Sequence, residues 1–266
     1  MGTSTRNKGQ SGHTPLVPSW LEEDDIEGQT QSDEQIPQDG DENRFSGPRK
    51  SFTQYVNGGG RDGSSMRSSV SRYISHSLGG SYRATTRLGS ARSSTAKLYN
   101  ILYTLSGSNG VRKVGQQLSL NNLTNLPASE FFVEIALFIC PDGGPNDEGI
   151  ARAAYYDAIA ENPELYGKLT EELTAEDCFS VLQNYMEKVV LEHVINDIAN
   201  KTIVLPDDID QVSNIEKKLE QLIKQGISDA CAEVTQNKIE MTGDKAQEIT
   251  DSIYQRTYEI LESQED

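Results

Sequence analysis

Hydrophobic and polar positions divide this chain into two unlike stretches. From Met1 to Arg92 the apolar residues are scattered singly, with no period of about 2 or 3.6 sustained over a window. From Ala96 onward they recur at helical spacing. Leu98, Ile101, Leu102 and Leu105 make one stripe, closed by Gly107 and Gly110. Phe131, Phe132, Ile135, Ala136, Phe138 and Ile139 predict a helix that is apolar nearly all round, hence a core element. Cys140-Pro141-Asp142-Gly143-Gly144 is a stop-and-turn signal. Pro145 then opens a helix carrying Ile150, Ala154, Tyr155 and Ile159, which ends near Asn162-Pro163.

Thr174 and Asp177 have capping-box spacing and start what the pattern predicts as the longest helix, along Cys178, Val181, Leu182, Tyr185, Val189, Val194 and Ile198. Ile203-Val204-Leu205-Pro206 reads as an extended connector. Val212, Ile215, Leu219, Leu222, Ile223 and Ile227 predict another amphipathic helix. A last one runs from about Asp244 to Leu261 along Ile249, Ile253, Thr257 and Ile260. No strand-period segment competes. The expected fold is all-α: a C-terminal bundle of about six helices behind a long N-terminal region that is disordered or ordered only by a partner.

Composition sharpens that division. Hydrophobic residues make up 35% of the chain, below the roughly 45–50% of ordinary globular domains, and the deficit sits in the first 90 or so residues. Three parts follow: a flexible acidic arm over 1–43, a Gly/Ser/Arg-rich basic segment over 44–95, and a helical domain over 96–266. Charge is sorted along the same lines. Residues 1–43 carry 2 basic and 10 acidic side chains, residues 44–115 carry 12 basic side chains against the single acid Asp62, and residues 116–266 carry 10 basic and 30 acidic ones. The overall net charge of −17 hides that alternation.

Each part suggests its own chemistry. In the arm, Trp20 and Leu21 precede Glu22-Glu23-Asp24-Asp25, an apolar anchor beside acids that has the form of a short linear binding motif, or of a solvated linker. In the basic stretch over 44–115, Arg61, Arg67, Arg72, Arg83 and Arg87 are interleaved with Tyr55, Tyr73 and Tyr82 among 11 glycines and 15 serines. Flexible nucleic-acid binders combine cationic phosphate contacts with stacking in this way. Docking on an acidic protein surface, including this chain's own C-terminal half, fits equally, as does an inert linker. Ser68–Ser77 is a candidate helix formed against a partner.

Catalytic chemistry finds little footing. His13, His76 and His193 are isolated from one another, and none is spaced with cysteines as a metal ligand. Gly58-Gly59-Gly60 lacks the lysine and strand of a phosphate loop. Cys140, Cys178 and Cys231 are odd in number and far apart, which suits small buried hydrophobes rather than disulfides. No catalytic residue, metal site or cofactor is expected. Asp142, Asp147, Glu148 and Arg152, at the turn and helix start over 140–152, are candidate partner contacts or simply a tight helix corner. With no apolar run of membrane length and no signal core, a cytoplasmic setting is expected.

Several segments together resemble a known family. They are Met1-Gly2-Thr3-Ser4 with Thr14–Leu21, Arg44-Phe45 with Phe52–Tyr55, Gly58-Gly59-Gly60 and Gly79-Gly80-Ser81, the 140–152 corner, and Asn196-Asp197-Ile198 before Ile203–Pro206. In these the chain is similar to the QatB family of the bacterial four-component Qat anti-phage defence system, over residues 1–21, 44–95 and 128–230. Gly149 stands where the family pattern leads one to expect a helix former.

The resemblance implies a non-enzymatic defence component working beside the QatA ATPase, the QueC-like protein QatC and the TatD-like nuclease QatD, with QatC the direct partner. Related QueC-like proteins attach a deazaguanine-type base to a protein N-terminus, which makes Gly2 the candidate modification site. An α-amine with pKa near 8 is partly unprotonated at neutral pH. Arg6 argues against N-myristoylation. The alternative is an adaptor that uses the five arginines on nucleic acid to recruit the nuclease or ATPase.

Overall fold

The computed structural model describes residues 42–121, 123–141, 146–199, 209–236 and 242–264. Ten α-helices occur among them: α1 Ser46–Asn57, α2 Gly63–Arg72, α3 Ser81–Arg87, α4 Ser90–Leu105, α5 Gly110–Leu118, α6 Ala128–Ile139, α7 Asn146–Ala160, α8 Ala175–Val194, α9 Ile209–Gln236 and α10 Ala246–Glu262. Two π-helical segments, Tyr73–Leu78 and Ile195–Ala199, continue α2 and α8. The described residues contain no strand, only an isolated bridge between Pro127 and Leu169. The fold is all-α, as the apolar periodicity predicts.

The core is built around α4, α8 and α10. Helix α4 packs on both others, α8 also takes α7 and α9, and α10 also takes α3 and α9. Local signals account for several of these elements. Thr174 Oγ1 accepts from Asp177 N at 3.1 Å, and the Asp177 carboxylate accepts in return from Thr174 N at 2.8 Å, so the expected capping box does start α8. Lys168 Nζ reaches the other oxygen at 2.7 Å. Burial works against ionisation of Asp177, but Lys168 and the Thr174 donors outweigh it and hold the carboxyl below its ordinary range. Replacing Thr174 by alanine is expected to lower stability by about 1 kcal/mol, read as a shift in the urea midpoint at constant slope.

Three features differ from the sequence reading. The longest helix is α9, at 28 residues, not α8, because its apolar stripe runs on past Gly226 and Ile227 through buried Ala230, Cys231 and Val234. On α6, Phe131, Phe132, Ile135, Ala136 and Ile139 are buried, but Val133, Leu137 and Phe138 face outward. Its apolar character is all round, while its burial is one-sided.

The third difference is the largest. Residues 44–95, expected as a flexible connector, form α1, α2, α3 and the start of α4, and they contribute Phe52, Tyr55, Val70, Ile74 and Leu88 to the core. The serines that read as linker are small enough to let helices approach, and the buried hydroxyls of Ser69, Ser71 and Ser77 each find a carbonyl acceptor. Ser69 Oγ donates to Pro48 O at 2.8 Å, Ser77 Oγ to Arg44 O at 2.6 Å, and Ser71 Oγ to Glu262 O at 2.6 Å. A buried hydroxyl with a carbonyl acceptor avoids the penalty that otherwise keeps serine outside.

The acidic surface that this basic segment meets is partly its own chain. Arg92 grips Asp251 through two parallel bonds, Nε to Oδ1 at 2.8 Å and Nη2 to Oδ2 at 2.5 Å. The candidate helix over Ser68–Ser77 is formed by α2 and the π-helical turn after it, packed on α1 and α10. Ile203–Pro206 lies outside the described residues, as do residues 1–41 of the arm, with Gly2, Trp20 and Leu21.

Candidate functional site

The two π-helical segments meet across a cleft of about 670 Å³. One widened turn brings Tyr73 and Leu78 to its wall, the other Asn196 and Asp197. Such turns interrupt the regular ladder, and they recur at functional sites. Here they are tied directly: Tyr73 Oη donates to Asp197 Oδ2 at 2.8 Å. Arg49 Nη2 donates to the backbone carbonyl of the same aspartate at 2.8 Å, so Asp197 is held from two sides. Burial, reinforced by the Asp197 charge, raises the Tyr73 phenol well above its usual range, and it stays a proton donor at any physiological pH.

Charge in the cleft comes from both halves of the chain. Arg44 and Arg87 stand on the wall supplied by the basic segment, while Glu192, His193 and Asp197 come from α8 and its continuation. Burial, with the charge of Asp157, raises the Glu192 carboxyl above its ordinary range, opposed by Lys188. Helix α7 closes the remaining side with Gly149, Ile150 and Ala153. A Cβ added at Gly149 would meet nothing within 4 Å. A glycine inside a helix costs roughly 0.5–1 kcal/mol relative to alanine, and no neighbour in the fold requires one here.

The chain enters its helical body beside this cleft. The 3₁₀ turn Glu42–Phe45 presents Phe45 in a stacked contact with Tyr73 at 6.2 Å between centroids. The guanidinium carbons of Arg44 and Arg49 lie 4.7 and 5.1 Å from the same ring centroid.

The residues singled out from sequence fare unevenly. Asp142 lies outside the described residues, as does the side chain of Asp147. Glu148 is half-buried near the start of α7. Arg152 turns inward: its Nη2 donates to the carbonyl of Cys140 at 2.6 Å, fastening α7 to the end of α6. Of the five arginines, Arg61, Arg67, Arg72 and Arg83 are exposed, and Arg87 lines the cleft. They are mounted on or beside helices rather than on a pliable strand. Tyr55 and Tyr73, expected as stacking surfaces, are buried, and only Tyr82 stands out.

Cys140, Cys178 and Cys231 are free and buried, matching the small-hydrophobe reading. The described residues hold no group of three or more His, Cys, Asp or Glu arranged for a metal ion. They also hold no helix long and apolar enough to cross a membrane. Sequence reasoning missed Glu192, named Tyr73 only as a stacking aromatic, and took Arg44 only as part of the family pattern. Asn196-Asp197-Ile198 was noticed only as part of the family pattern.

No curated protein and no solved structure is similar enough to match the chain. The sequence model of the Qat anti-phage system associated protein QatB matches residues 79–261, more than two-thirds of the chain. That span contains α7, α8 and most of the cleft, and it begins after Arg44, Tyr73 and Leu78. The chain therefore belongs to the QatB family, proteins associated with the Qat anti-phage system.

Proposed function

We propose that this chain serves the Qat system as a non-enzymatic docking component that engages a QueC-like partner and offers its own N-terminus, at Gly2, for conjugation of a 7-deazaguanine-type base. The observation that carries this reading is the anchor at residues 42–45. The Ser77 hydroxyl holds the Arg44 carbonyl, and Phe45 is fixed between Tyr73 and two guanidinium groups. The segment ahead of it thus departs from a fixed point on a packed helical body. About 40 residues span at most some 130 Å when extended, ample to enter the active site of a bound enzyme. Glycine at position 2 gives an amine with no Cβ beside it, which suits a narrow site.

Trp20, Leu21, Asp142, Asp147 and Glu148 are the proposed partner contacts, with Arg152 holding the corner in place through Cys140. The ATPase and the nuclease of the system would join through the same body. Mass spectrometry of the protein purified from cells with the whole operon, and from cells lacking the QueC-like component, tests the reading. A mass increase confined to the peptide beginning at Gly2, and dependent on the QueC-like component, is expected. An unmodified N-terminus in the complete system overturns it.

A further inference from the structure

We propose that the outer face of the α1–α2 hairpin binds the phosphate backbone of a nucleic-acid duplex. On α1 the exposed stripe is Ser46, Lys50, Gln54 and Asn57. On α2 and its π-helical continuation it includes Ser64, Arg67, Arg72 and His76. Arg61 stands exposed in the turn between the two helices. The Arg72 guanidinium reaches across to Ser51 Oγ on α1 at 3.3 Å, which sets the two stripes side by side. Among the described residues, Lys50, Arg61 and Arg67 take part in no ion pair or side-chain hydrogen bond, so their charge is available to a ligand.

Opposing charge on this face is small. Asp62 is the single acid between residues 44 and 115. Its carboxylate caps α2, accepting from Ser64 N at 3.1 Å, Ser64 Oγ at 2.6 Å and Ser65 Oγ at 2.5 Å. Beside the turn, α9 brings Glu216, Lys217 and Lys218, the last donating to Gly60 O at 2.5 Å. Glu262 meets the far end of the face, where its carbonyl accepts from Ser71 and its carboxyl lies near His76.

What the face lacks decides its partner. No large hydrophobic side chain between residues 43 and 81 is exposed. A protein interface is built around a buried apolar centre, whereas phosphates are held by cations and hydroxyls alone. Single strands are held by stacking on aromatic rings, but Tyr55 and Tyr73 are buried. A duplex turns its phosphates outward and asks for no stacking. Helix α2, at 10 residues, and its continuation, at 6, give a rigid support about 24 Å long.

Fluorescence anisotropy of the full-length protein tests this, with a labelled DNA duplex, the same duplex in RNA, and the single strands. Three neutralised phosphates give a salt slope of about −2.7, so duplex binding should weaken about 40-fold between about 50 and 200 mM salt. Lys50→Gln, Arg61→Gln and Arg67→Gln combined should weaken it roughly tenfold or more and remove most of that salt dependence. The thermal midpoint should not move, because all three side chains are exposed. Arg112→Gln with Lys113→Gln, exposed cations on α5, should leave binding unchanged. Binding of either duplex supports the proposal, and the tighter one names the source. No saturable binding, full binding by the triple variant, an equal loss in the α5 variant, or tighter binding of single strands overturns it. Displacement by polyglutamate at matched charge assigns the face to an acidic protein surface, and overturns it as well. None of these outcomes depends on the mass change at Gly2, so either proposal can fail alone.

Discussion

Replacing Gly110 by alanine is expected to destabilise the protein by about 3 kcal/mol or more. A Cβ at this position would lie 2.0 Å from the carbonyl oxygen of Leu105 and 2.6 Å from its carbonyl carbon. Both are backbone atoms at the end of α4, so no side-chain rotation relieves the overlap. The turn from α4 into α5 would have to open, and Leu105, Val111 and Val114 would lose their packing with it. Equilibrium urea unfolding of the two proteins gives the difference directly. A midpoint within error of the parent would show that the turn yields freely.

The second large effect is expected at Glu187 and depends on pH. Its side chain is 5% exposed on α8, with Lys224 Nζ 3.9 Å away. The neighbouring Lys188 is already claimed by Glu161 at 2.5 Å and Glu220 at 2.6 Å. Burial pushes the Glu187 carboxyl up to about 7, and the pull of Lys224 only partly offsets it. Unfolded, the group titrates near 4.5. Between those values the unfolded chain has released the proton while the folded one keeps it, so stability falls as pH rises from about 4.5 to 7 and stays reduced above. The full shift is worth roughly 3 kcal/mol at 1.36 per unit. A buried glutamine amide retains some desolvation penalty, so Glu187→Gln is expected to recover about 2 kcal/mol at pH 8, with the gain shrinking toward pH 5. Urea midpoints across pH 5–8 read this out. A gain independent of pH would assign the effect to packing.

Both effects lie in the helical half of the chain, where sequence was most informative. The stripes along α4, α8, α9 and α10 are visible as periodicity, and the Thr174–Asp177 box marks a helix start within about one residue. Helix formation is a local matter of neighbours three and four apart, which a single sequence displays. The same signal overreached on α6. Val133 and Leu137 belong to an apolar run, yet they stand more than half exposed, since composition does not say which face of a helix finds a partner.

The basic segment was misread for a related reason. A serine looks the same in a solvated linker and in a close helix crossing. At Ser71 the difference is a carbonyl 191 residues away, at Glu262. The cleft was hidden likewise. Tyr73 and Asp197 are 124 residues apart, and each lies in a π-helical turn that no local pattern announced. The charge blocks, by contrast, were plain in the sequence. What they do for one another emerges only where Arg92 grips Asp251.

Sequence by itself determined that this protein is helical, where most of the later helices lie, that its charge is sorted, and that it resembles the QatB family. Tertiary structure alone decided that the serine- and glycine-rich segment is part of the core, and that cationic and acidic segments close together around one polar cleft. The physical reason is range. Helical periodicity and capping are written in residues within one or two turns, whereas burial of a small polar side chain depends on an acceptor that folding brings from the far end of the chain.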